Sequence, residues 1–415
     1  MKRIFSCLVL LFAIVYSNAQ STDTIRVLFV GNSFTSNNNL PLVFQQLAAG
    51  AGRPVVVVAH VPGGVSVGDT AQGTQAHMNN PQVFSLIRSD NWNYLVLQDN
   101  QGRFVNNYGV FPGSSKVIEG HIKIRDSLLY YHPCARMLWF AGWGPKAGYL
   151  PYASTGTGLI DKIYNNYRYL LDTAGQVIAP IGPAWQRIIA NDTTINLWDA
   201  DDTHPGINGT SLTADVIYAT VFKSSPIHSS YVLSGISPAV DSVLKNTGYQ
   251  TVLDSVGVTG LQTISPVISQ NGNTLTVNGY VNCSWYLNGS FLTTNSGTLT
   301  MTQPGTYAVV VSDVTHCEFR TFEYTVSVLN AIEDIESRSA QIVVFPNPSD
   351  GKFSIESTQE LEKIEIVNYL GQTIRVIQKP KQKEMLEIEN TVKGIYFIIA
   401  TDKKGVISRQ ELVIQ

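Results

Sequence analysis

The sequence predicts an α/β fold, a doubly wound parallel sheet, followed by two small β-sandwich domains. Three observations predict it. From residue 24 to 258, short apolar, β-branched runs alternate with amphipathic stretches; near residue 262 the texture turns to short alternating strands with Gly and Pro turns; and a polar stretch then separates a last β-rich block.

The chain opens on "MKRIFSCLVLLFAIVYSNAQ", with Lys2-Arg3, an apolar core from Cys7 to Val15, and small or polar residues up to Ala19. That is the pattern of a secretory signal peptide over residues 1–19, with cleavage expected after Ala19. No later segment offers the roughly twenty uninterrupted apolar residues that a spanning helix needs. A soluble or surface-attached product is therefore expected, with no transmembrane segment in the mature chain.

Residues 24–258 hold "IRVLFV", "LPLVFQQLAAGAG", "PVVVVAH", "PQVFSLIRSD", "NYLVLQ", "ARMLWFAGW", "LIDKIYNNYRYLLDTAG" and "QVIAPIG". Strand-like runs without polar alternation suit a parallel sheet covered on both faces, with helices as crossovers. "SLTADVIYATVFKS" and "ISPAVDSVLKNTG" read as late helices closing this domain. Residues 262–330 alternate polar and apolar residues around turns at Asn288-Gly289 and Pro304-Gly305, the pattern of a small β-sandwich. Trp285 after Cys283, with Tyr307 before Cys317, resembles an immunoglobulin-like module, although a plain core role is the favoured reading of Trp285. A polar linker, residues 331–342, leads to residues 343–415, three β-rich blocks with Gly turns.

The net charge of -3 and 14% charged residues show no basic bias. Nucleic acid is excluded as a partner, because phosphate binding needs clustered Lys and Arg. Of four cysteines, Cys7 leaves with the signal peptide and Cys134 stands alone in the first half. Cys283 and Cys317 share one small region, and an exported context permits a disulfide between them. No spacing suggests a zinc site, so neither metal nor organic cofactor is expected.

Four stretches carry chemistry. "LFVGNSFTSNNNLP" runs a strand into Gly31-Asn32-Ser33, which either forms a small polar turn or presents Ser33 to a substrate. Serine is a weak nucleophile at neutral pH and needs a base, itself oriented by a third group. "DADDTHPG" places Asp201 three residues before His204. In a short loop this lets the carboxylate take the Nδ1 proton and leaves Nε2 as base, while the plain alternative is a solvated turn. "NYLVLQDNQG" ends a strand in Gln98, Asp99, Asn100 and Gln101; Asn100 would offer an amide to a developing oxyanion. "HVPGGVSVGDT" places Gly63, Gly64 and Gly68 after another strand, where backbone N–H groups would face a ligand. It lacks the Gly-Lys-Ser/Thr ending of a phosphate loop. In an open parallel sheet ligands sit beyond the carboxyl ends of the strands, and all four stretches fall there.

This order of blocks resembles the SGNH (GDSL-like) hydrolases over residues 26 to about 225, a family with a flavodoxin-like three-layer fold. The resemblance implies Ser33 as nucleophile, His204 as base and Asp201 as its orienting partner. It also implies an oxyanion hole from Ser33, Asn100 and a loop glycine, Gly68 or alternatively Gly64. Two blocks depart from the family: Gly-Asn-Ser replaces the common Gly-Asp-Ser, and Gln98-Asp99-Asn100-Gln101 replaces Gly-x-Asn-Asp. The implied activity is a serine esterase acting on an ester substrate, an acetylated glycan foremost. Trp143, Trp185 and Trp198 are available as sugar platforms or as core. The alternatives are a short-chain lipid esterase or lipase, and a catalytically inactive surface glycan-binding protein. Residues 343–415 resemble the type A C-terminal sorting domain of the bacterial type IX secretion system, through Phe345-Pro346-Asn347-Pro348, Gly351, Leu370-Gly371-Gln372 and Gly394-Ile395-Tyr396-Phe397. That implies recognition by the secretion machinery, passage across the outer membrane and a secreted or surface location.

Overall fold

The computed structural model describes residues 24–68, 75–102, 115–148, 153–280, 282–294, 297–329, 342–369, 371–388, 393–403, 405 and 407–415. The expected signal peptide, nearly all of the expected linker, and Leu370 lie outside the described residues. The chain divides into two compact units between Leu329 and Asn330.

In the first unit, strands β1 (Ile25–Val30), β2 (Val55–His60), β3 (Tyr94–Leu97), β4 (Arg136–Phe140) and β5 (Val177–Ala179) form one sheet in the order β2-β1-β3-β4-β5. Every pairing is parallel. The helices are α1 (Ser33–Ser36), α2 (Leu40–Gly50), α3 (Pro81–Arg88), α4 (Ser115–Tyr131), α5 (Gly156–Ala174), α6 (Ile181–Asn191), α7 (Ile207–Phe222) and α8 (Pro238–Asp254). The runs lack polar alternation because successive side chains enter two different cores. Val27 and Phe29 of β1 join a cluster with α2, α6, α7 and α8, whereas Leu28 and Val30 join one with α3, α4 and α5. β4 divides likewise, with Leu138 and Phe140 on one face and Met137 and Trp139 on the other. Helix α7 is buried along its whole length from Gly209 to Phe222, which explains its apolar character all round.

The helix ends follow local chemistry. Thr155 caps α5 by accepting from the Gly158 N–H at 3.2 Å, and Gly175 ends it with φ 66°. Ser237 caps α8 ahead of Pro238, which sits at the first helical position.

The remainder of this unit, Ser269 to Val326, holds eight strands among the described residues. These are β6 (Ser269–Asn271), β7 (Thr274–Thr276), β8 (Asn282–Leu287), β9 (Ser290–Thr294), β10 (Thr298–Thr300), β11 (Gly305–Ser312), β12 (Glu318–Arg320) and β13 (Tyr324–Val326). They make two antiparallel sheets, β10-β7-β6 and β12-β11-β8-β9 with β13 paired to β11. Trp285 is fully buried in the core between them with Leu275, Tyr307 and Val309. The bland core role for Trp285 is the one observed.

The expected Cys283–Cys317 disulfide is not formed. Cys317 pairs with Cys134, across 183 residues of sequence, and Cys283 is a buried free thiol. The reason is strand alternation. Cys283 opposes Val311 and points, with Trp285 and Leu287, into the sandwich core. Cys317 lies in the turn after β11, next to the loop before β4 that carries Cys134.

The second unit is built from β14 (Ile342–Phe345), β15 (Lys352–Ser357), β16 (Leu361–Asn368), β17 (Thr373–Gln378), β18 (Lys383–Glu387), β19 (Gly394–Asp402) and β20 (Ile407–Ile414). Two antiparallel sheets, β14-β15-β18 and β17-β16-β19-β20, enclose a core that includes Phe353, Ile364, Ile398 and Leu412. No helix among the described residues is long and apolar enough to cross a membrane.

Candidate active site

The strand order reverses at β1, whose neighbours are β2 and β3, and in open parallel sheets of this kind ligands bind beyond the carboxyl ends of the strands at such a reversal, here those of β1 and β3. Ser33 leaves β1 through Gly31 and Asn32 and begins α1. Gly31 is required by close approach, because a Cβ there would lie 2.7 Å from both Gln98 Oε1 and Thr35 Oγ1. The buried Asn32 uses both ends of its amide. Nδ2 donates to the Val65 carbonyl at 2.9 Å, and Oδ1 accepts from the Phe34 N–H at 3.1 Å. This answers the departure from Gly-Asp-Ser, since a carboxylate cannot donate to Val65. Gln98 Oε1 accepts from the Asn32 N–H at 2.8 Å and from Thr35 Oγ1 at 3.0 Å, binding the end of β3 to the serine turn.

Ser33 Oγ lies 2.8 Å from His204 Nε2, and His204 Nδ1 lies 2.5 Å from Asp201 Oδ2. The other Asp201 oxygen accepts the backbone N–H groups of Thr203 and His204, each at 2.9 Å. The bond from the His204 side chain, then those from the His204 and Thr203 backbone, hold the Asp201 carboxyl down to about 2. An ionised Asp201 keeps the imidazole proton on Nδ1, so Nε2 accepts from the Ser33 hydroxyl. The three residues named from the sequence thus form one hydrogen-bonded line, 171 residues separating Ser33 from His204.

The loop carrying Asp201 and His204 is anchored by residues the sequence reading did not single out for that task. Asn38 Nδ2 donates to the Pro205 carbonyl at 2.8 Å and to Thr210 Oγ1 at 3.0 Å. Trp143 Nε1 donates to the Thr203 carbonyl at 3.1 Å, and the Lys146 N–H to the Asp202 carbonyl at 2.8 Å. Asp202 takes a left-handed φ of 53° that closes the turn. The Phe34 ring packs 5.2 Å from the His204 ring and 5.5 Å from Trp143. No periodic pattern marks these contacts; the three asparagines after Ser36 were the only visible signal.

Trp143, Trp185 and Trp198 are not sugar platforms. They are buried, with Trp143 stacked on Trp185 at 3.9 Å and Trp198 edge-on to Trp185 at 5.1 Å. Such pairs add about 0.5–1.5 kcal/mol beyond burial, here underneath the Asp201–His204 loop.

Asn100 follows Asp99 at the end of β3. Asp99 is buried, and its Oδ1 accepts from the Val67 N–H at 2.8 Å and the Asn100 N–H at 2.7 Å, tying the glycine-containing loop to this strand end. Asn100 Oδ1 accepts from the Gly102 N–H at 3.0 Å, so the end available to a ligand is its NH2. Gly68 packs against α4, where a Cβ would fall 1.6 Å from the Lys116 carbonyl oxygen; Gly64 takes φ 73° with open space around it. His77, fully buried, meets the Gly31 carbonyl through Nε2 at 2.9 Å, and burial lowers its pKa to about 4. Neutral His77 therefore supports the turn from behind. Among the described residues, no cluster of three or more His, Cys, Asp or Glu side chains is arranged to hold a metal ion.

Residues 343–415 match the secretion system C-terminal sorting domain family. No curated protein matches the chain. Similar solved structures include a DUF4886 family protein from Bacteroides uniformis, 16% identical, covering 58% of this chain and 99% of its own with a TM-score of 0.46. An acetyl xylan esterase is 14% identical, covering 48% of this chain and 100% of its own with a TM-score of 0.35. A gut microbial diltiazem-metabolizing enzyme is 12% identical, covering 88% of this chain and 72% of its own with a TM-score of 0.34. The chain therefore carries, in residues 343–415, a secretion system C-terminal sorting domain of the type IX route, which directs export to the cell surface or outside.

Proposed function

We propose that residues 24–258 are the catalytic domain of an exported serine esterase that removes small acyl groups, acetyl foremost, from carbohydrate. The observation that carries the reading is the hydrogen-bonded line Ser33–His204–Asp201, with Ser33 Oγ 2.8 Å from His204 Nε2. Ser33 Oγ attacks the ester carbonyl as its proton passes to His204 Nε2, and Asp201 stabilises the resulting imidazolium. The oxyanion is received by the Ser33 N–H, the Asn100 NH2 and the N–H of Gly68 or Gly64. His204 then protonates the leaving alcohol. A water deprotonated by the same nitrogen attacks the acyl-enzyme, releasing the acid and restoring Ser33. All three acting groups come from this chain.

The carbohydrate half of the proposal draws on the export signal and on the sequence resemblance to SGNH hydrolases, since the buried tryptophans lend it nothing. The test is hydrolysis of 4-nitrophenyl acetate by the mature protein and by Ser33→Ala, with folding compared by circular dichroism. Activity confined to the wild type supports the esterase reading. Equal rates, or none in either, would transfer the weight to a binding protein.

A further inference from the structure

At the other end of the sheet, roughly 20 Å from Ser33 by the length of the six-residue β1, lies a cleft of about 670 Å3 between the amino-terminal edge of the parallel sheet and the β-module. It is walled on one side by the residues that begin β1, β3 and β4. On the other side is the outward face of β8, β11 and β12, which bears Ser284, Tyr286 and Val310. The Cys134–Cys317 disulfide closes one flank, and Ser224 Oγ donates to Glu323 Oε1 at 2.7 Å across the same junction.

The cleft is electropositive by an unusual arrangement. Arg53, Arg136, Lys223 and Arg320 all line it, against one lining carboxylate, Glu318. Among the described residues none of these four cations forms an ion pair; the ion pairs of the parallel-sheet part, such as Arg26–Asp90 and Lys245–Asp241, lie elsewhere. Each is held instead over an aromatic ring of the same cleft. The Arg136 guanidinium lies 4.8 Å from the Phe319 ring centre and that of Arg320 5.2 Å from Tyr286. Lys223 Nζ lies 5.7 Å from the Tyr94 ring, and the Arg53 guanidinium 5.9 Å from Phe222. A ring orients a cation without cancelling its charge.

Nearby acids act more weakly. Glu323 and Asp313 influence Arg320 and Arg136 respectively from outside ion-pair range. Arg320 Nε is buried and has no hydrogen-bond partner, and burial together with neighbouring Arg53 pushes the Arg320 pKa down to about 10. Assembling these like charges is costly unless an anion completes the set.

We propose that this cleft binds an acidic sugar unit, its carboxylate or sulfate received by Arg320 and Arg53 and its apolar face by the half-exposed ring of Phe291. Guanidinium groups match such planar or tripodal oxyanions in paired hydrogen bonds. The volume suits a short saccharide, within the usual range of ligand pockets. Such a site would hold an acidic glycan to the protein while the opposite end of the sheet stays free.

The test is isothermal titration of the mature protein with four probes: trigalacturonate, its neutral methyl ester, a sulfated disaccharide, and inorganic sulfate alone. Trigalacturonate or the sulfated disaccharide should bind, whichever is tighter naming the acid group, and added salt should weaken it. Arg320→Gln and Arg53→Gln should each lower that affinity about tenfold or more, the loss of one charge-assisted hydrogen-bond set. Both variants should keep wild-type 4-nitrophenyl acetate turnover and melting temperature, which separates this site from Ser33. Should Arg320→Gln melt early, Arg53→Gln carries the test. Equal binding of the methyl ester would overturn the reading of charge. Inorganic sulfate binding as tightly as the sugars would overturn the saccharide, and no binding by any probe would overturn the site.

Discussion

Replacing Asp201 with Asn probes the charge of this residue while keeping its shape. In the wild type one Asp201 oxygen accepts two backbone N–H groups and the other faces His204 Nδ1 at 2.5 Å. In Asp201→Asn the single amide oxygen keeps the backbone bonds, which preserves the loop, and the NH2 meets His204 Nδ1. Two donors cannot share that contact, so the imidazole proton moves to Nε2. Ser33 then faces a donor across its 2.8 Å contact and has no base. The loss falls on the transition state, so kcat should drop with KM little changed. By analogy with the tautomer trap in other Ser-His-Asp enzymes, the drop in kcat/KM should be about 10³–10⁴-fold, or about 4–5.5 kcal/mol of barrier. The assay is 4-nitrophenyl acetate hydrolysis at neutral pH with circular dichroism on both proteins. A folded variant retaining kcat/KM to within about tenfold, under about 1.4 kcal/mol, would refute the orienting role of Asp201.

Three other outcomes are expected. Non-reducing peptide mapping should recover a Cys134–Cys317 linked peptide, with Cys283 alone alkylated after unfolding without reductant; a Cys283–Cys317 peptide would contradict the observed pairing. Gly68→Ala should destabilise by about 1–3 kcal/mol through overpacking, because its Cβ would meet the Lys116 carbonyl at 1.6 Å, and an unchanged urea midpoint would show that the loop yields freely. His121 is buried and its pKa is lowered to about 4 by desolvation, so the unfolded chain takes up the proton first as pH falls below 6.5. Stability attributable to this residue is present above that pH and declines toward pH 4; at pH 5 the loss is about 2 kcal/mol. Urea unfolding at pH 7 and pH 5 should therefore show a larger acid loss in the wild type than in His121→Leu, and equal losses would refute it.

Much of the fold was legible in the sequence because its signals are local. Unbroken apolar runs such as "IRVLFV" imply a strand buried on both faces, and β1 does divide its side chains between two cores. The change of texture near residue 262 announced antiparallel sheets, which follow. Ser33, Asp201 and His204 could be named because each lies in a short stretch with its own chemistry. Their meeting needed only the rule that ligands gather at the carboxyl ends of parallel strands. The anchoring roles behind them could not be read. Asn38, Trp143 and Gln98 act on residues remote in sequence, and an asparagine or tryptophan looks the same whether or not a carbonyl waits opposite.

The same distinction explains the cysteines and tryptophans. Proximity in sequence favoured Cys283 with Cys317, but strand alternation turned Cys283 inward, and packing within the first unit brought Cys134 to Cys317 across 183 residues. Trp143, Trp185 and Trp198 read as sugar platforms or as core, and packing that stacks them beneath a loop makes them core. The electropositive cleft has no sequence signature at all, since Arg53, Arg136, Lys223 and Arg320 are scattered through a chain of net charge -3. By itself the sequence determined the parallel sheet followed by antiparallel sheets, the export signal matched over residues 343–415 and the residue types able to do chemistry. The tertiary structure alone decided which cysteines pair, which aromatic rings are core and where cations collect. Those outcomes depend on contacts between distant segments, whereas strand patterns, turns and motifs are set by neighbours along the chain.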